Sequence, residues 1–306
     1  MAAAPIPIIA AGSTCVNVSD YGRGLLMRHG LNILGGLNLG LGALGHMLRW
    51  LENRGRVRAP VPRRVARPGP SSFAEAAGPW SEAPWSEMEA RRLLAGAGVP
   101  VAPGGLAGSA DEAVAIARRV GLPVALKVCS AQITHTSDVG GVVLGLGSEA
   151  EVRAGYEKVR AARMAVPEAG VDGVLVTPMR TGGAELLAGV TVDPAFGPML
   201  AVGLGGIWVE ILGEVSLRLL PADAAEIRRM LGELRGLPLL QGARGARPAD
   251  LDAVAEVIAA LGEAALSLGG AQNGALRALE VNPLWVNGDQ VEALDVLVIT
   301  EARDQP

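Results

Sequence analysis

The chain has 306 residues, of which 50% are hydrophobic and 19% charged, a composition that supports a buried core and argues against disorder as a whole. A formal net charge of -4, only two lysines and an aromatic content of 3% argue against binding to nucleic acid through a basic surface or a base-stacking platform. The two cysteines lie far apart without metal-ligand spacing, which is typical of a reducing compartment, so we expect a cytoplasmic protein.

The first part of the chain alternates predicted strands and helices. Apolar patterns predict strands at Ile6–Ala10 and Leu31–Leu34 and helices at Asp20–His29 and Leu37–Arg54. A βαβα order of this kind is typical of a parallel sheet with helices on its faces. Polar residues and glycines make Leu31–Leu51 too polar for a membrane helix, so we expect no membrane contact.

Gly40, Gly42 and Gly45 form a GxGxxG pattern within the second of these helices. The pattern lies several residues beyond its strand, and no acidic residue follows at about twenty positions to hold a ribose. We therefore expect these glycines to allow close packing of the helix and not to bind a dinucleotide.

A linker separates this part from the rest of the chain. Residues 58–81 are rich in proline and arginine and have no apolar periodicity. Beyond it, Ser86 and Glu89 form a capping box that begins a predicted helix, Glu87–Ala97, and a second helix is predicted at Asp111–Val120.

A lysine stands inside the next predicted strand, Pro123–Val128. A charged ammonium in an apolar strand is costly unless an anion meets it, so Lys127 predicts an anion partner. Because the only other lysine is Lys158, this one is unlike the usual surface lysine. The alternative is that Lys127 snorkels to solvent from an edge strand.

A polar loop follows this strand and carries His135, Asp138 and the pair Gly140 and Gly141 ahead of another predicted strand. An imidazole beside a carboxylate is held in one tautomer, which leaves its other nitrogen as a nucleophile or base. Successive glycine amides can close over a phosphate. Together with Lys127, these residues predict phosphate chemistry, and a purely structural histidine is the alternative.

The run PVALKVCSAQITHTSDVGGVVLGL, residues 123–146, resembles a segment of a known domain family. It is similar to the lysine strand and following loop of the ATP-grasp domain in nucleoside-diphosphate-forming acyl-CoA synthetases, the acetate–CoA and succinate–CoA ligase group. The resemblance covers residues 82–299, with the motifs in the same order. One residue departs from the pattern, because the family commonly has Lys directly after the His and this chain has Thr136.

The resemblance implies an α/β chain whose main domain, residues 82–306, has the two-lobed α+β ATP-grasp fold. Residues 1–57 resemble the tail of the flavodoxin-like CoA-ligase domain that precedes the ATP-grasp part in fused family members. The earlier strands of that domain are missing, so we expect a fragment or one subunit of a hetero-oligomer. CoA would then be a co-substrate bound by a part that this chain lacks.

An ATP site is implied by the same resemblance. Lys127, Gly140 and Gly141 would contact the phosphates. The predicted strand that contains Val174 and Val176 corresponds to the hinge between the lobes, where backbone groups read the adenine edge.

Four further candidate site residues follow the predicted hinge strand. Glu185 corresponds to a glutamate that begins the next strand, where a ribose contact and a plain strand-end carboxylate are both possible. Gly205 and Gly206 lie in a glycine-rich turn that suits phosphate contact, with a packed hairpin as the alternative. Arg218 stands among apolar residues and, like the lysine, requires an anion or a buried carboxylate.

A predicted hairpin near the C-terminus carries candidate metal ligands. Asn287 and Gly288 give a strong turn signal, which places Glu280 and Asn282 on one strand and Asp295 on its partner. Such oxygen ligands suit Mg²⁺. The resemblance implies that the Asn and the downstream Asp hold the ion.

These features predict the nucleotide-binding part of an acyl-CoA synthetase that converts a carboxylic acid, CoA and ATP into acyl-CoA, ADP and phosphate. The resemblance implies an acyl phosphate and a phosphohistidine as intermediates. His135, Asp138 and Arg218 are the predicted catalytic residues. Two alternatives stay open: an ATP-grasp carboxylate–amine ligase, and a non-catalytic nucleotide-binding or regulatory subunit.

Overall fold

The computed structural model describes nine stretches of the chain, namely residues 10–11, 19–31, 33–34, 36–54, 85–130, 140–163, 172–206, 214–269 and 275–301. The chain divides into two compact units, Met1–Arg67 and Pro68–Pro306. None of the helices in these stretches combines the length and apolar character needed to cross a membrane.

The N-terminal unit contains two short strands and two helices. They are β1 (Ala10–Ala11), α1 (Asp20–Arg28), β2 (Ile33–Leu34) and α2 (Leu37–Arg54). The strands pair in parallel, with Ala10 opposite Ile33, as the βαβα order predicts. A Cβ atom at Gly40 would lie 2.9 Å from Leu34 Cβ, so this glycine lets α2 approach β2 closely.

In the second unit, the described residues start with a helix and then form a four-stranded antiparallel sheet. Its first elements are α3 (Glu87–Gly96), β3 (Gly105–Ala107), α4 (Ala110–Val120), β4 (Val124–Cys129), β5 (Val142–Leu146), α5 (Glu149–Arg163) and β6 (Gly173–Pro178). The strand order is β3-β6-β4-β5, and α4 and α5 pack together on the sheet. Capping by Ser86 and Ser109 begins α3 and α4, as the sequence predicts.

Alternation along β4 determines where its charged residue lies. Val124, Leu126 and Val128 are at most 2% exposed and belong to the core beneath α4 and α5. Because neighbouring residues of a strand face opposite sides, Lys127 lies on the face of the sheet away from these helices. The strand pairs on both sides, with β5 and with β6.

A six-stranded antiparallel sheet follows. Its elements are β7 (Ala184–Asp193), β8 (Gly197–Leu204), β9 (Val215–Leu219), α6 (Ala224–Glu233), α7 (Leu237–Leu240), a 3₁₀ turn (Ala243–Gly245), α8 (Leu251–Gly269), β10 (Ala275–Asn287), β11 (Gln290–Ala293) and β12 (Val296–Glu301). The order is β11-β10-β7-β8-β9, and β12 continues beside β10 where β11 ends. Helices α6 and α8 supply much of its core.

Helix α3 precedes the four-stranded sheet in sequence but packs with the six-stranded one. Ala90, Leu93 and Leu94 of α3 are at most 8% exposed and belong to the same core as α6, α8 and β10. The helix also contacts β12. The first turn of α3 is therefore fixed to the second sheet.

Replacing Leu126 by Ala should destabilise the second unit by about 2–5 kcal/mol, because this fully buried side chain leaves a cavity between β4 and its helices. The matched control is Leu144→Ala on the neighbouring β5, where the side chain is 62% exposed and the cost should stay within about 0.5 kcal/mol. Urea unfolding followed by circular dichroism measures both. Equal unfolding midpoints for the two variants would contradict the placement of Leu126 in the core.

Candidate active site

Lys127 lies between two carboxylates from elements that pack with the six-stranded sheet, helix α3 and the break between β11 and β12. Its Nζ atom donates hydrogen bonds to both carboxylate oxygens of Asp295, at 2.8 and 2.7 Å, and lies 2.9 Å from Glu87 Oε2. Glu87 Oε2 accepts no well-directed hydrogen bond from the described residues, so its contact with Nζ is an ion pair governed by charge. The lysine thus has the anionic partners that its position in an apolar strand requires, and the inner place of β4 excludes the edge-strand alternative.

Arg91 is a second buried cation beside this cluster. Its residue exposure is 4%, and its Nη1 atom lies 3.5 Å from Glu87 Oε1 and donates to the Leu294 carbonyl at 2.9 Å. Nη2 donates to the Ala102 carbonyl. Arg91 therefore fixes helix α3 to the chain just before Asp295.

Sequence reasoning missed both Glu87 and Arg91. The available signal was their spacing of four residues in a capped helix, on the face that also buries Ala90 and Leu94. Two opposite charges on the apolar face of a helix indicate a buried pair with a further partner. That partner, Lys127, is forty residues away from Glu87 in the sequence and on a different sheet, which the spacing does not reveal.

Burial and charge oppose each other in this cluster. Burial lowers the pKa of Lys127, but the carboxylates of Glu87 and Asp295 outweigh it, so the pKa is raised and the ammonium stays charged. Burial raises the pKa of Glu87, Asp295 adds to this, and Lys127 and Arg91 offset only part of it. Burial also lowers the pKa of Arg91. Lys127 already contacts the Asp295 carboxylate, so a phosphate that approached the lysine would compete with Asp295.

The predicted metal hairpin is formed by β10 and its partner strands. Asn287 pairs with Gln290, and Gly288 has a φ of +66°, as the turn signal predicts. Asp295 lies in the short break between β11 and β12, not within a strand as predicted. The break faces Pro283, which has no N–H to donate to the ladder. On the other side of β10, the register with β7 shifts at the same point.

Asn282 and Asp295 nevertheless lie opposite each other. The Asn282 amide donates to the Asp295 carbonyl at 3.2 Å, and the Asn282 side chain donates to Glu280 Oε1 at 3.3 Å. Carboxylate and amide oxygens are the ligands that Mg²⁺ prefers, so the donor set fits this ion. Within the described stretches, no group of three or more His, Cys, Asp or Glu residues is arranged to hold a metal. In this state the Asp295 carboxylate contacts Lys127, which would have to release it.

The glycine pair before β5 lies beside the lysine strand. Lys127 pairs with Val142, and the Val128 amide donates to the Gly141 carbonyl at 2.8 Å. Gly140 has a φ of +68°, a conformation that favours glycine. His135, Asp138 and Thr136 lie outside the described residues.

The second glycine turn packs against the start of β7. The Gly205 amide donates to the Glu185 carbonyl at 2.7 Å, and a Cβ atom at Gly205 would lie 2.9 Å from the carbonyl carbon of Leu186. A Cβ atom at Gly206 would lie 2.5 Å from Glu185 Oε2. The structure therefore brings these three predicted residues together. Close packing against backbone atoms requires Gly205, and a φ of +59° favours glycine at position 206. Their contact with phosphate and ribose stays a prediction.

Val174 and Val176 are poorly placed for the predicted adenine contact. Both are at most 5% exposed, and β6 is an inner strand that pairs with β3 and β4. Backbone groups of an inner antiparallel strand are used in its two ladders, so a nucleotide contact at either residue would break a strand pairing. The connection 179–183, between β6 and β7, is where the chain passes from one sheet to the other.

Arg218 meets carboxylates from helix α6. Its Nε atom donates to Glu226 Oε1 at 2.6 Å and its Nη2 atom donates to Glu233 Oε1 at 2.5 Å. Nη1 also donates to Ser216 Oγ at 3.3 Å. The observed partners of Arg218 are carboxylates, but they are not buried, since the Glu226 and Glu233 side chains are 26% and 49% exposed. Its predicted catalytic contact would require a phosphate to replace one of them.

A family model described as an ATP-grasp domain matches residues 82–300. This chain belongs to the ATP-grasp family. The ADP-forming acetate–CoA ligase I subunit beta of Pyrococcus furiosus is 36% identical over 217 residues, which are 71% of this chain and 91% of that subunit. The ADP-forming acetate–CoA ligase I of Archaeoglobus fulgidus is 43% identical over 166 residues, which are 54% of this chain and 24% of that protein. The ATP-grasp chain therefore corresponds to a separate subunit in one relative and to about a quarter of a longer protein in the other.

Solved structures agree with this family membership. The dinucleotide forming acetyl-coenzyme A synthetase 1 of Ca. Korarchaeum cryptofilum, in complex with coenzyme A, Ca-AMPCP and HgCl+, has a TM-score of 0.65 and 34% identity, covering 71% of this chain and 93% of that one. A protein from Pyrococcus horikoshii has a TM-score of 0.66 and 35% identity, covering 72% and 93%. The predicted ATP-grasp fold and the predicted family resemblance are confirmed.

The variant Arg218→Met should lose less stability than the wild-type ATP-grasp domain as the pH is lowered. Burial raises the pKa of Glu226 and Glu233, but hydrogen bonds from Arg218, with Arg229 or Ser216, outweigh it and lower both pKa values. A carboxylate whose pKa is lower in the folded protein than its ordinary value of 4.5 stabilises the fold at pH values above 4.5. This stabilisation is lost as the pH falls through the lowered pKa of the folded state.

Thermal melts between about pH 5 and pH 3 should therefore show a smaller loss of Tm in Arg218→Met than in the wild type. The matched control is Arg235→Met, where the arginine side chain is 81% exposed and pairs with Glu214, and it should follow the wild-type profile. Parallel profiles for Arg218→Met and the wild type would show that the network does not hold these carboxylates in their charged form.

Proposed function

We propose that this chain is the nucleotide-binding part of an ADP-forming acyl-CoA synthetase, which makes acyl-CoA, ADP and phosphate from a carboxylic acid, CoA and ATP. The observation that carries the proposal is the meeting of Lys127, from one ATP-grasp sheet, with Asp295 from the other, at 2.7 Å. Relatives named as ADP-forming acetate–CoA ligase beta subunits support the same reaction class.

Charge neutralisation is the main contribution of this chain to phosphoryl transfer. The ammonium of Lys127 binds the nucleotide phosphates, and backbone amides of Gly140 and Gly141 approach them from beside β4. Asn282 and Asp295, with Glu280 nearby, would hold Mg²⁺, which would supply positive charge for phosphoryl transfer. Once Lys127 contacts the phosphates, the Asp295 carboxylate would be free to bind the ion.

The turn at Gly205 and Gly206 and the carboxylate of Glu185 line the nucleotide from the six-stranded sheet in this proposal. Arg218 adds positive charge if a phosphate displaces one of its glutamates. For the adenine edge, the inner position of β6 favours the connection 179–183 over Val174 and Val176.

His135 is the proposed phosphoryl acceptor, oriented by Asp138. One ring nitrogen attacks the γ-phosphorus with its lone pair, the bond from that phosphorus to the bridging oxygen breaks, and ADP leaves with the electron pair. The other ring nitrogen keeps its proton, which Asp138 accepts as a hydrogen bond. The phosphoryl group then serves the part of the enzyme that holds the acid and CoA.

A CoA-binding subunit or domain is the proposed partner. The Pyrococcus furiosus relatives are named as beta subunits, which supports assembly with a second kind of chain. A cytoplasmic location stays a prediction. The second candidate function, a non-catalytic nucleotide-binding subunit, is favoured by Thr136 at the position where the family commonly has Lys.

The wild-type chain should bind ATP in a magnesium-dependent manner, and Asp295→Asn should weaken Mg-ATP binding by about 10–100-fold because one anionic ligand is lost. Calorimetric titration with and without Mg²⁺ measures this. Asp289→Asn is the matched control, since Asp289 pairs with Arg247 at the hairpin tip with 71% of its side chain exposed. Absence of magnesium-dependent heat in the wild type would exclude the proposed nucleotide site.

Incubation with γ-labelled ATP, with the CoA-binding partner added in a parallel sample, should give acid-labile and base-stable label on His135. His135→Ala should lose the label while it keeps Mg-ATP affinity, and His46→Ala, on α2, should keep both. Label that persists in His135→Ala would place the acceptor elsewhere. A chain that binds Mg-ATP but never carries label would favour the non-catalytic alternative.

A further inference from the structure

Two carboxylates share the ammonium of Lys127, and they differ in access to solvent. The Asp295 side chain is 42% exposed, whereas the Glu87 side chain is 9% exposed. A ligand that enters from solvent therefore reaches Asp295 first. Glu87 lies on the buried side of the lysine, where neither water nor a ligand replaces it easily.

Glu87 is held in place by features that do not depend on Lys127. It follows the buried N-cap residue Ser86, and its Oε1 atom lies 3.5 Å from Arg91 Nη1 one turn later in the same helix. The positive end of a helix dipole also favours a carboxylate in the first turn. Because α3 packs in the core of the six-stranded sheet, the Glu87 carboxylate is a fixed anion against which a lysine from the other sheet can be placed.

Arg91 connects this anion to the chain around Asp295. Its Nη1 atom donates to the Leu294 carbonyl at 2.9 Å, immediately before Asp295. The same helix therefore sets both the position of Glu87 and the position of the break between β11 and β12.

We propose that Glu87 is a positioning residue for Lys127, and that it keeps the ammonium in place when Asp295 gives up its ion pair. Asp295 is the exchangeable partner and Glu87 is the permanent one. The role of this exchange in Mg-ATP binding rests on the proposed function, whereas the positioning of Lys127 by Glu87 does not.

The chain offers a direct measurement, because Lys127 and Lys158 are its only lysines. Lys158 is exposed on α5 and serves as an internal reference. Reaction with an amine-selective acetylating reagent, followed by peptide mass spectrometry, gives the relative rate of modification at the two positions. In the wild type, Lys127 should react about tenfold or more slowly than Lys158, because its ammonium is largely buried and held by two carboxylates.

Asp295→Asn imitates the exchanged state without any nucleotide. If Glu87 holds the lysine alone, Lys127 stays protected in Asp295→Asn, within about threefold of its wild-type rate. Adding Glu87→Gln should then remove the protection and bring the rate at Lys127 to within about threefold of the rate at Lys158. Full loss of protection in Asp295→Asn alone would overturn the proposal, as would full protection in the double variant.

Glu89→Gln is the matched control, since Glu89 lies in the same helical turn and contacts Ser86, not Lys127. It should leave the rate at Lys127 unchanged. Thermal melts of every variant check that α3 stays folded. If Glu87→Gln does not fold, Glu87→Asp replaces it, because aspartate keeps the charge on a shorter side chain. Together with Asp295→Asn, it should give an acetylation rate at Lys127 that lies between the wild-type rate at Lys127 and the rate at Lys158. A wild-type rate in Glu87→Asp together with Asp295→Asn would count against the proposal.

Mg-ATP affinity separates a positioning role from a merely structural one. Glu87→Gln should weaken binding by about tenfold in the wild-type background and have little further effect in Lys127→Met, because Glu87 acts through the lysine. Equal losses in both backgrounds would indicate a structural role for Glu87. If the wild type binds no Mg-ATP, the proposed function fails, while the acetylation rates still decide whether Glu87 holds Lys127.

Discussion

The ion pairs of Lys127 across the two sheets are the interaction on which the site depends. One face of the sheet that contains Lys127 packs on an apolar core, so the anionic partners of this inner-strand lysine must lie on the opposite face. Here both anions come from elements fixed to the six-stranded sheet. Removal of the lysine itself would leave the buried Glu87 carboxylate without this cation, a loss that typically costs about 3–5 kcal/mol. The placement of the two sheets relative to each other at this site therefore depends on the charge of Lys127.

Helix α3 shows how the fold supports this pair. It comes before the four-stranded sheet in sequence, yet its apolar face lies in the core of the six-stranded sheet. Arg91 and Glu87 stand one turn apart on it, and one contacts the backbone beside Asp295 while the other contacts Lys127. An ATP-grasp domain built in this way has its cation preassembled between two anions. Under the proposed function, nucleotide binding is an exchange of partners instead of the capture of an unpaired charge.

Local patterns allowed most of the elements to be predicted from the sequence. Capping residues predicted the start of α3, and alternation predicted β4 with its one charged residue. The need of Lys127 for an anion followed from its place in an apolar run. The family resemblance assigned that anion to the nucleotide phosphates, and it assigned Asp295 to a metal ion and not to the lysine.

Long-range partners were beyond these local patterns. Lys127 and Asp295 are 168 positions apart, and nothing in either segment specifies the other as its contact. Arg218 is comparable: its apolar neighbours predicted an anion or a carboxylate, but only the packing of α6 on β9 shows that two glutamates fill that place. The inner position of Val174 and Val176 was beyond prediction for a different reason, because strand order decides whether a strand is inner or outer and the pattern of a single strand does not. Their adenine contact stays a prediction.

The network at Arg218 also bears on the solubility of the chain. Strand β9 lies at one end of the described six-stranded sheet, and Val215, Leu217 and Leu219 on it are 45–54% exposed. An apolar edge strand is a ready template for pairing with another chain.

Ser216 and Arg218 alternate with these exposed residues of β9 and face helix α6, where Glu226 and Glu233 hold the guanidinium. A charge that points inward from an edge strand makes edge-to-edge pairing unfavourable. The same arginine that fastens β9 to its helix thereby protects the sheet from aggregation.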